Sequence, residues 1–242
     1  MADVEVRLGG GGFMMTEMVV IRHGETEWNV EGRIQGWQDS ELNARGRAQA
    51  EALGRRFRGQ RGLIRAIYSS DLKRTMDTAR SVADVVGLEI VADERLREWH
   101  LGCIETMLLD EARVREPEAV RIYEERDVEA VVPEGESIRE RYNRCTSCLE
   151  EIAEKHKGDR VVVVTHGGIL DDLYRFVNGV DLQAERDWDL FNCGINVLRI
   201  ENPESKIENR WSVVRWGYIE HLEGIGSMAD WAGGQGQVSD VK

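Results

Sequence analysis

The chain has 242 residues, 41% hydrophobic and 32% charged, enough to bury one large core or two small ones. Its formal net charge of -13 argues against nonspecific binding to nucleic acid or to an anionic membrane, since both need a basic surface. Any anion it takes must therefore meet positive charge gathered locally in a pocket. No apolar run approaches the roughly twenty residues of a membrane span. Four cysteines and no visible signal peptide predict reduced thiols and a cytoplasmic setting.

Residues 1–17, with the run Gly9–Gly12 and three nearby methionines, read as a disordered leader. Met18–Arg22 reads as a first buried strand, ending in Arg22-His23-Gly24. Asn43–Phe57 has helical spacing at Ala44, Ala48, Ala52 and Phe57, with Asn43 as N-cap. Ile64–Tyr68 is a second apolar run, ending in Ser69-Ser70. Asp71 then caps a helix whose inner face carries Leu72, Met76, Ala79, Ala83 and Val86, closed by Gly87. Leu88–Val91 is a third strand.

Residues 104–132 are charged and interrupted by Glu116-Pro117. They read as short helices and loops, a lid or substrate-specificity insertion. Ser137–Lys157 reads as a long helix with Ile138, Tyr142, Cys145, Leu149, Ile152 and His156 along one stripe. Cys145 and Cys148 form a C-x-x-C. Their mid-helix position favours packing over redox or metal chemistry, since reactive pairs usually sit at a helix N-terminus. Val161–Val164 is a β-branched run suited to a central strand buried on both faces. It ends in Thr165-His166-Gly167-Gly168, with a helix following through Phe176. Ile195–Ile200 and Val213–Tyr218 are further strands, and residues 224–242 read as a flexible tail.

Alternating strands and helices predict a three-layer α/β/α sandwich with a mostly parallel sheet, in a single domain spanning 18–223. In such sheets ligands bind beyond the carboxyl ends of the strands. Arg22-His23, Ser69-Ser70 and His166-Gly167 all fall there, and Arg74 lies one turn into the helix after Ser70. Two guanidiniums and two imidazoles around one site describe a phosphate pocket. No metal triad competes, because neither histidine has an H-E-x-x-H partner or a paired-carboxylate motif. His100 and Trp99 flank Glu98 and could line a substrate mouth. Trp28 and Trp37 read as wall packing.

Six strings occur in order: RHGETEWN at 22–29, IQGWQDSELNARGRAQA at 34–50, SSDLKRTMDTA at 69–79, LREWHLG at 96–102, PEGES at 133–137 and VVVVTHGG at 161–168. Together they resemble the histidine phosphatase superfamily, the phosphoglycerate-mutase-like group, over roughly residues 18 to 221. The resemblance implies that His23 is the nucleophile that becomes phosphohistidine. Arg22, Arg74 and His166 would hold the phosphoryl oxygens. Asn29, Gln35, Gly36 and the Gly167 backbone would complete the pocket, and Glu98 would protonate the leaving oxygen. It implies no metal and no cofactor, with 2,3-bisphosphoglycerate required only by a mutase.

The segment Gly102-Cys103-Ile104-Glu105-Thr106 departs from the G-x-W-E-G string of many phosphatase relatives. Between residues 104 and 133 the Arg-Arg pair of glycolytic mutases is absent. The expected activity is hydrolysis of a small phosphorylated metabolite, with three-carbon acids such as phosphoglycerate or phosphoserine as candidates. The alternatives are a phosphoglycerate mutase and a non-catalytic phospho-ligand binding module. The oligomeric state is left open.

Overall fold

A computed structural model describes residues 15–201, 211–228 and 238–239. Six strands form one sheet: β1 (Thr16–Arg22), β2 (Ala66–Ser69), β3 (Ile90–Ala92), β4 (Arg160–Thr165), β5 (Ile195–Ile200) and β6 (Trp211–Tyr218). Their order is β3-β2-β4-β1-β5-β6. The first four are parallel neighbours, whereas β5 and β6 run antiparallel. The sheet is thus mostly parallel with an antiparallel edge.

The helices are α1 (Glu27–Glu31), α2 (Ala44–Arg56), α3 (Lys73–Val86), α4 (Leu109–Arg115), α5 (Pro117–Glu125), α6 (Ile138–Lys155) and α7 (Gly167–Asn178). Strand alternation sorts them into layers. Met18, Val20, Val161 and Val163 pack with Leu149 and Ile152 of α6 and Ile169 and Leu173 of α7. Val19, Ile21, Val162 and Val164 pack with Leu53 of α2 and Ala79, Val82 and Val86 of α3. The valine run thus feeds both cores, and the α/β/α sandwich follows.

Several boundaries differ from the sequence reading. β1 starts at Thr16, not Met18, because Glu17 is anchored across strands by Arg160 at 2.6 Å and Arg199 at 2.9 Å. The expected leader therefore stops short of Thr16, and its residues 1–14 lie outside the described residues. Of the expected tail, Ser227–Met228 (β7) pairs with Val238–Ser239 (β8). Gly226 and Ser227 are buried and hydrogen-bonded to the fold, so the tail does not start at 224. Asp71 does not cap α3. The N–H of Lys73 instead donates to Asp39 Oδ1 at 2.7 Å, and Asp71 holds the Arg97 guanidinium. The long helix ends at Lys155, and His156 is its C-cap residue, bonded to the Tyr68 hydroxyl at 2.9 Å.

Residues 104–132 carry α4 and α5, and they have a core of their own. Ile104, Ala112, Val120, Ile122 and Val132 pack with Ile34, Trp99 and Leu101. α6 opens on a capping box between Ser137 and Glu140. Inside it, Arg141 donates Nε and Nη2 to the two Asp172 oxygens at 2.7 and 2.8 Å. Next to Asp172 on α7, Asp171 receives Arg126 at 2.8 Å and Arg175 at 3.1 Å. Removing one member of such a buried pair typically costs about 3–5 kcal/mol. Cys145 and Cys148 lie buried on α6, and burial pushes the Cys148 thiol up to about 12.

The turn after β1 passes so close to α2 that a Cβ on Gly46 would meet Glu25 O at 2.0 Å. Glu25 O is main chain, and the position of the Cβ is set by the α2 backbone, so neither can move aside cheaply. Gly46→Ala is therefore expected to destabilise the protein by about 2–3 kcal/mol, a Tm fall of roughly 5–10 °C in a thermal melt.

Candidate active site

Arg22 lies opposite Thr165, and Ser69 lies opposite Val164. His23, Ser70 and His166 consequently leave the same edge of the sheet side by side. The two imidazoles meet edge to face, with centroids 5.3 Å apart. His23 is buried, and its Nδ1 is 2.7 Å from Gly24 O. A carbonyl can only accept, so Nδ1 carries the proton and Nε2 keeps a free lone pair. Burial, and then the charges of Arg74 and Arg22, hold the His23 pKa well below the ordinary histidine value. His166 is lowered in the same way, first by burial and then by Arg74. Its Nε2 meets Ser70 Oγ at 2.9 Å, while its buried Nδ1 meets no protein partner.

Two buried guanidiniums flank the imidazoles. Arg22 Nη1 donates to Leu190 O at 2.6 Å. Arg74, on the first turn of α3, is fully buried. It donates to Gln38 O at 2.7 Å and Gly36 O at 2.8 Å. Burial lowers its pKa to about 10, which leaves it charged at neutral pH. Its Nε has no protein partner.

The sequence-predicted polar rim is arranged around Thr26, the N-cap of α1. Asn29 Oδ1 accepts from the Thr26 N–H at 3.0 Å, and Gln35 Oε1 lies 3.2 Å from Thr26 Oγ1. Both amides thus turn their oxygens inward and keep their NH2 groups as donors for a ligand. Glu105, which the sequence reading left without a role, ties this loop down. It accepts from the N–H groups of Trp37 at 2.9 Å and Leu101 at 3.0 Å, and from Gln38 Nε2 at 2.9 Å.

Glu98 lies beside this loop, its carboxyl turned to the start of α7. Its Oε1 accepts from the Trp99 N–H at 2.8 Å, and its Oε2 from the Gly168 N–H at 2.9 Å, on the first turn of α7. Arg144 fixes the backbone that carries it, donating to the carbonyls of Arg95, Arg97 and Glu98 at 2.9, 2.7 and 2.6 Å. The same guanidinium is gripped by Glu136 of the PEGES string. Trp37 Nε1 also donates to Glu98 O at 2.7 Å. His100 stacks on Trp37 at 4.3 Å, so these two side chains form one wall.

Asn192 is a second residue with no sequence signal. Fully buried, it donates Nδ2 to His23 O at 2.9 Å. Its own carbonyl receives Ser227 Oγ at 2.8 Å. Gln49 accepts from the Glu25 N–H and donates to Gly226 O, both at 2.9 Å. The loop bearing His23 is thus braced from residues 192, 226 and 227. All nine predicted positions, Arg22, His23, Asn29, Gln35, Gly36, Arg74, Glu98, His166 and Gly167, fall at this edge. His156 and His221 do not: the first pairs with Tyr68 and the second stacks on Tyr218.

A neutral imidazole with one free nitrogen, two buried cations, a second imidazole and a carboxyl at a helix start can transfer a phosphoryl group. The fold and these motifs define a class, and the chain belongs to it: the histidine phosphatase superfamily (branch 1), matched over residues 18–217. Among similar proteins is "Phosphoglycerate mutase-like protein 4" of Arabidopsis thaliana, 40% identical over 220 residues, covering 90% of this chain and 92% of that one. "Metal-independent phosphoserine phosphatase" of the same plant is 37% identical over 216 residues, covering 88% and 86%. The solved structure of Bacillus stearothermophilus YhfR superimposes with a TM-score of 0.76 at 32% identity, covering 86% of this chain and 100% of that one.

Proposed function

We propose that this chain hydrolyses small phosphomonoesters through a phosphohistidine on His23. The observation that carries the reading is the buried His23 ring with Nδ1 tied to Gly24 O, beside two buried arginines that, with burial, hold its pKa well below the ordinary histidine value. Nε2 attacks phosphorus, and the bond to the ester oxygen breaks. Arg22, Arg74 and His166 hold the equatorial oxygens, with the NH2 groups of Asn29 and Gln35 and the backbone of Gly36 and Gly167 at the rim. Glu98 gives its proton to the departing alkoxide. Water then attacks the phosphohistidine and Glu98 takes the water proton. The P–N bond breaks and phosphate leaves.

The arginines and the start of α7 supply the positive charge, so the reaction is read as independent of metal and cofactor. The partner is a small phosphorylated metabolite, with no nucleic acid or membrane, in the cytoplasm. Among the described residues no helix is long and apolar enough to cross a membrane.

The arginines of residues 104–132 favour hydrolysis over mutase action. Arg113 pairs with Asp110 and Glu124, Arg115 with Glu111, Arg121 with Glu118 and Glu125, and Arg126 with Asp171. Holding a bisphosphate would require cations not already matched by carboxylates. The test is turnover of p-nitrophenyl phosphate in EDTA, with 3-phosphoglycerate followed by NMR with and without 2,3-bisphosphoglycerate. Free phosphate as product supports the reading; 2-phosphoglycerate formed only with the bisphosphate would replace it with the mutase.

Two further outcomes follow. Because the His23 pKa is depressed, the neutral form persists as pH falls below 6.5. Nitrogen-15 NMR of labelled imidazoles at pH 6 should show His23 neutral and protonated on Nδ1; an imidazolium there would contradict the assignment. A Cβ on Gly168 would fall 2.2 Å from Glu98 Oε1, so Gly168→Ala must displace the carboxyl group. Hydrolysis of alkyl phosphates should drop by about 100-fold. Hydrolysis of p-nitrophenyl phosphate should drop less, since its leaving group needs little protonation.

A further inference from the structure

We propose that the arginine ridge at the end of α2, formed by Arg55, Arg56, Arg58, Arg61 and Arg65, is a docking surface for a short acidic segment of another protein. The chain carries a net charge of -13, yet from Ala52 to Ser70 it has these five arginines and no aspartate or glutamate. All five are exposed. None belongs to the phosphate pocket.

Elsewhere the protein matches exposed arginines with carboxylates at close range. Arg113 meets Asp110 and Glu124 at 2.6 Å, and Arg121 meets Glu118 and Glu125 at 2.7 Å. On the ridge, Arg55 and Arg65 reach only Glu51 and Asp159, each at 3.9 Å between exposed side chains, and such loose pairs contribute little. Among the described residues, Arg56, Arg58 and Arg61 form no ion pair. Arg56 lies 6.0 Å over the Tyr218 ring, and Arg61 lies beside Gly87, the C-cap of α3. Like charges gathered without counter-charges repel one another, so the ridge costs stability until something outside the chain neutralises it.

The backbone under the ridge is fixed. Phe57 and Ile64 are buried in the core beneath it. Between them the N–H groups of Arg58, Gln60 and Leu63 donate to the carbonyls of Arg55, Phe57 and Gln60. A partner therefore meets cations already held in place, which lowers the ordering cost of binding. Leu63, between Arg61 and Arg65 in the chain, is 58% exposed.

The surrounding charge selects the occupant. Outside the ridge the chain is more acidic still, so a long nucleic acid or an anionic bilayer that overran the ridge would meet repulsion of its own sign. A short acidic segment ends within the ridge, and acidic groups more than about 8 Å beyond it are screened at physiological salt. Leu63 suits a segment with an apolar side chain among its carboxylates. The ridge ends where β2 begins, at Ala66, whereas the far end of β2 leads to Ser70 and its bond to His166. An occupied ridge therefore leaves the pocket open.

The probe is a fluorescein-labelled peptide repeating Glu-Glu-Leu over about nine residues, roughly 30 Å when extended. Fluorescence anisotropy should show saturable binding to the full chain, weakening as salt rises from about 50 to about 300 mM. Arg55→Gln combined with Arg56→Gln and Arg58→Gln should raise Kd at least about tenfold, the product of three modest charge contacts. Turnover of p-nitrophenyl phosphate by this variant should stay native. Arg113→Gln combined with Arg115→Gln and Arg121→Gln changes the net charge equally at positions already paired, and should leave Kd within about twofold.

No saturable binding by the native chain, or an equal loss in both triple variants, overturns the proposal. So does tighter binding, at the same salt, of an oligouridylate or of phosphatidylserine vesicles, which would make the ridge a nucleic-acid or membrane surface. A native chain that dimerises by itself, and no longer does so in the ridge variant, would assign the ridge to a second copy and overturn it too. If the ridge variant fails to fold, Arg58→Gln and Arg61→Gln measured singly decide, and an unchanged Kd in both counts against the proposal.

Discussion

His23→Ala is expected to lower kcat/KM for every phosphate ester by about 10⁴-fold or more, the scale seen when a covalent nucleophile is removed. No neighbour can take over. The His166 ring stands edge-on at 5.3 Å with its Nε2 engaged by Ser70, so it lacks the in-line position. The substitution removes the ring but leaves the backbone anchors of the loop, the bonds to Asn192, Gln49 and Thr78. The fold should therefore survive, as circular dichroism would show. Brief incubation of the native protein with labelled phosphate ester, followed by an alkaline quench, should trap one acid-labile phosphoryl group per chain. The alanine variant should trap none. Turnover that survives the substitution would remove the covalent route altogether.

Arg74→Met should cost about 10²–10³ in kcat/KM, the usual loss when one preorganised donor to a transition state is taken away. Here two effects add. The charge that faces both imidazoles disappears, and the carbonyls of Gly36 and Gln38 lose their donors. The Gly36 carbonyl, buried and left unsatisfied, costs about 1–3 kcal/mol, so the variant should also melt earlier. Arg74→Lys separates the contributions. It returns the charge but cannot reach both carbonyls in one plane, and it should regain part of the activity and less of the stability. Equal activity in the methionine variant and the native protein would place the phosphoryl group elsewhere.

The strands, the two helical layers and the phosphate edge were legible because they rest on local patterns. The valine run 161–164 and the His-Gly pairs at strand ends each declare themselves within a few residues. The braces were not legible, because each joins distant parts of the chain. Arg144 looks like a surface charge on a helix, yet it fixes the backbone of Glu98. Glu105 lay in the string that departs from the family pattern, and its three bonds to residues 37, 38 and 101 depend on how two loops meet. Asp71 misled for a related reason. It stands where a cap is expected, but Arg97 draws it away and Asp39 substitutes from another loop. Asn192 and Ser227 had no periodic signal at all.

The brace from residues 192 and 227 has a consequence for how the molecule folds. β1 lies between β4 and β5, and its partners Thr165 and Asn196 come far later in the chain. The Asn192 bond to His23 spans 169 positions. A newly synthesised chain therefore carries β1, apolar on both faces, well before any neighbour exists to pair with it. Contacts of such long sequence separation slow folding, and an unpaired strand of this kind invites association with other chains. Chaperone dependence and slow recovery of activity on refolding, lagging behind recovery of helical signal, are the expected marks of a site whose first residues wait for its last.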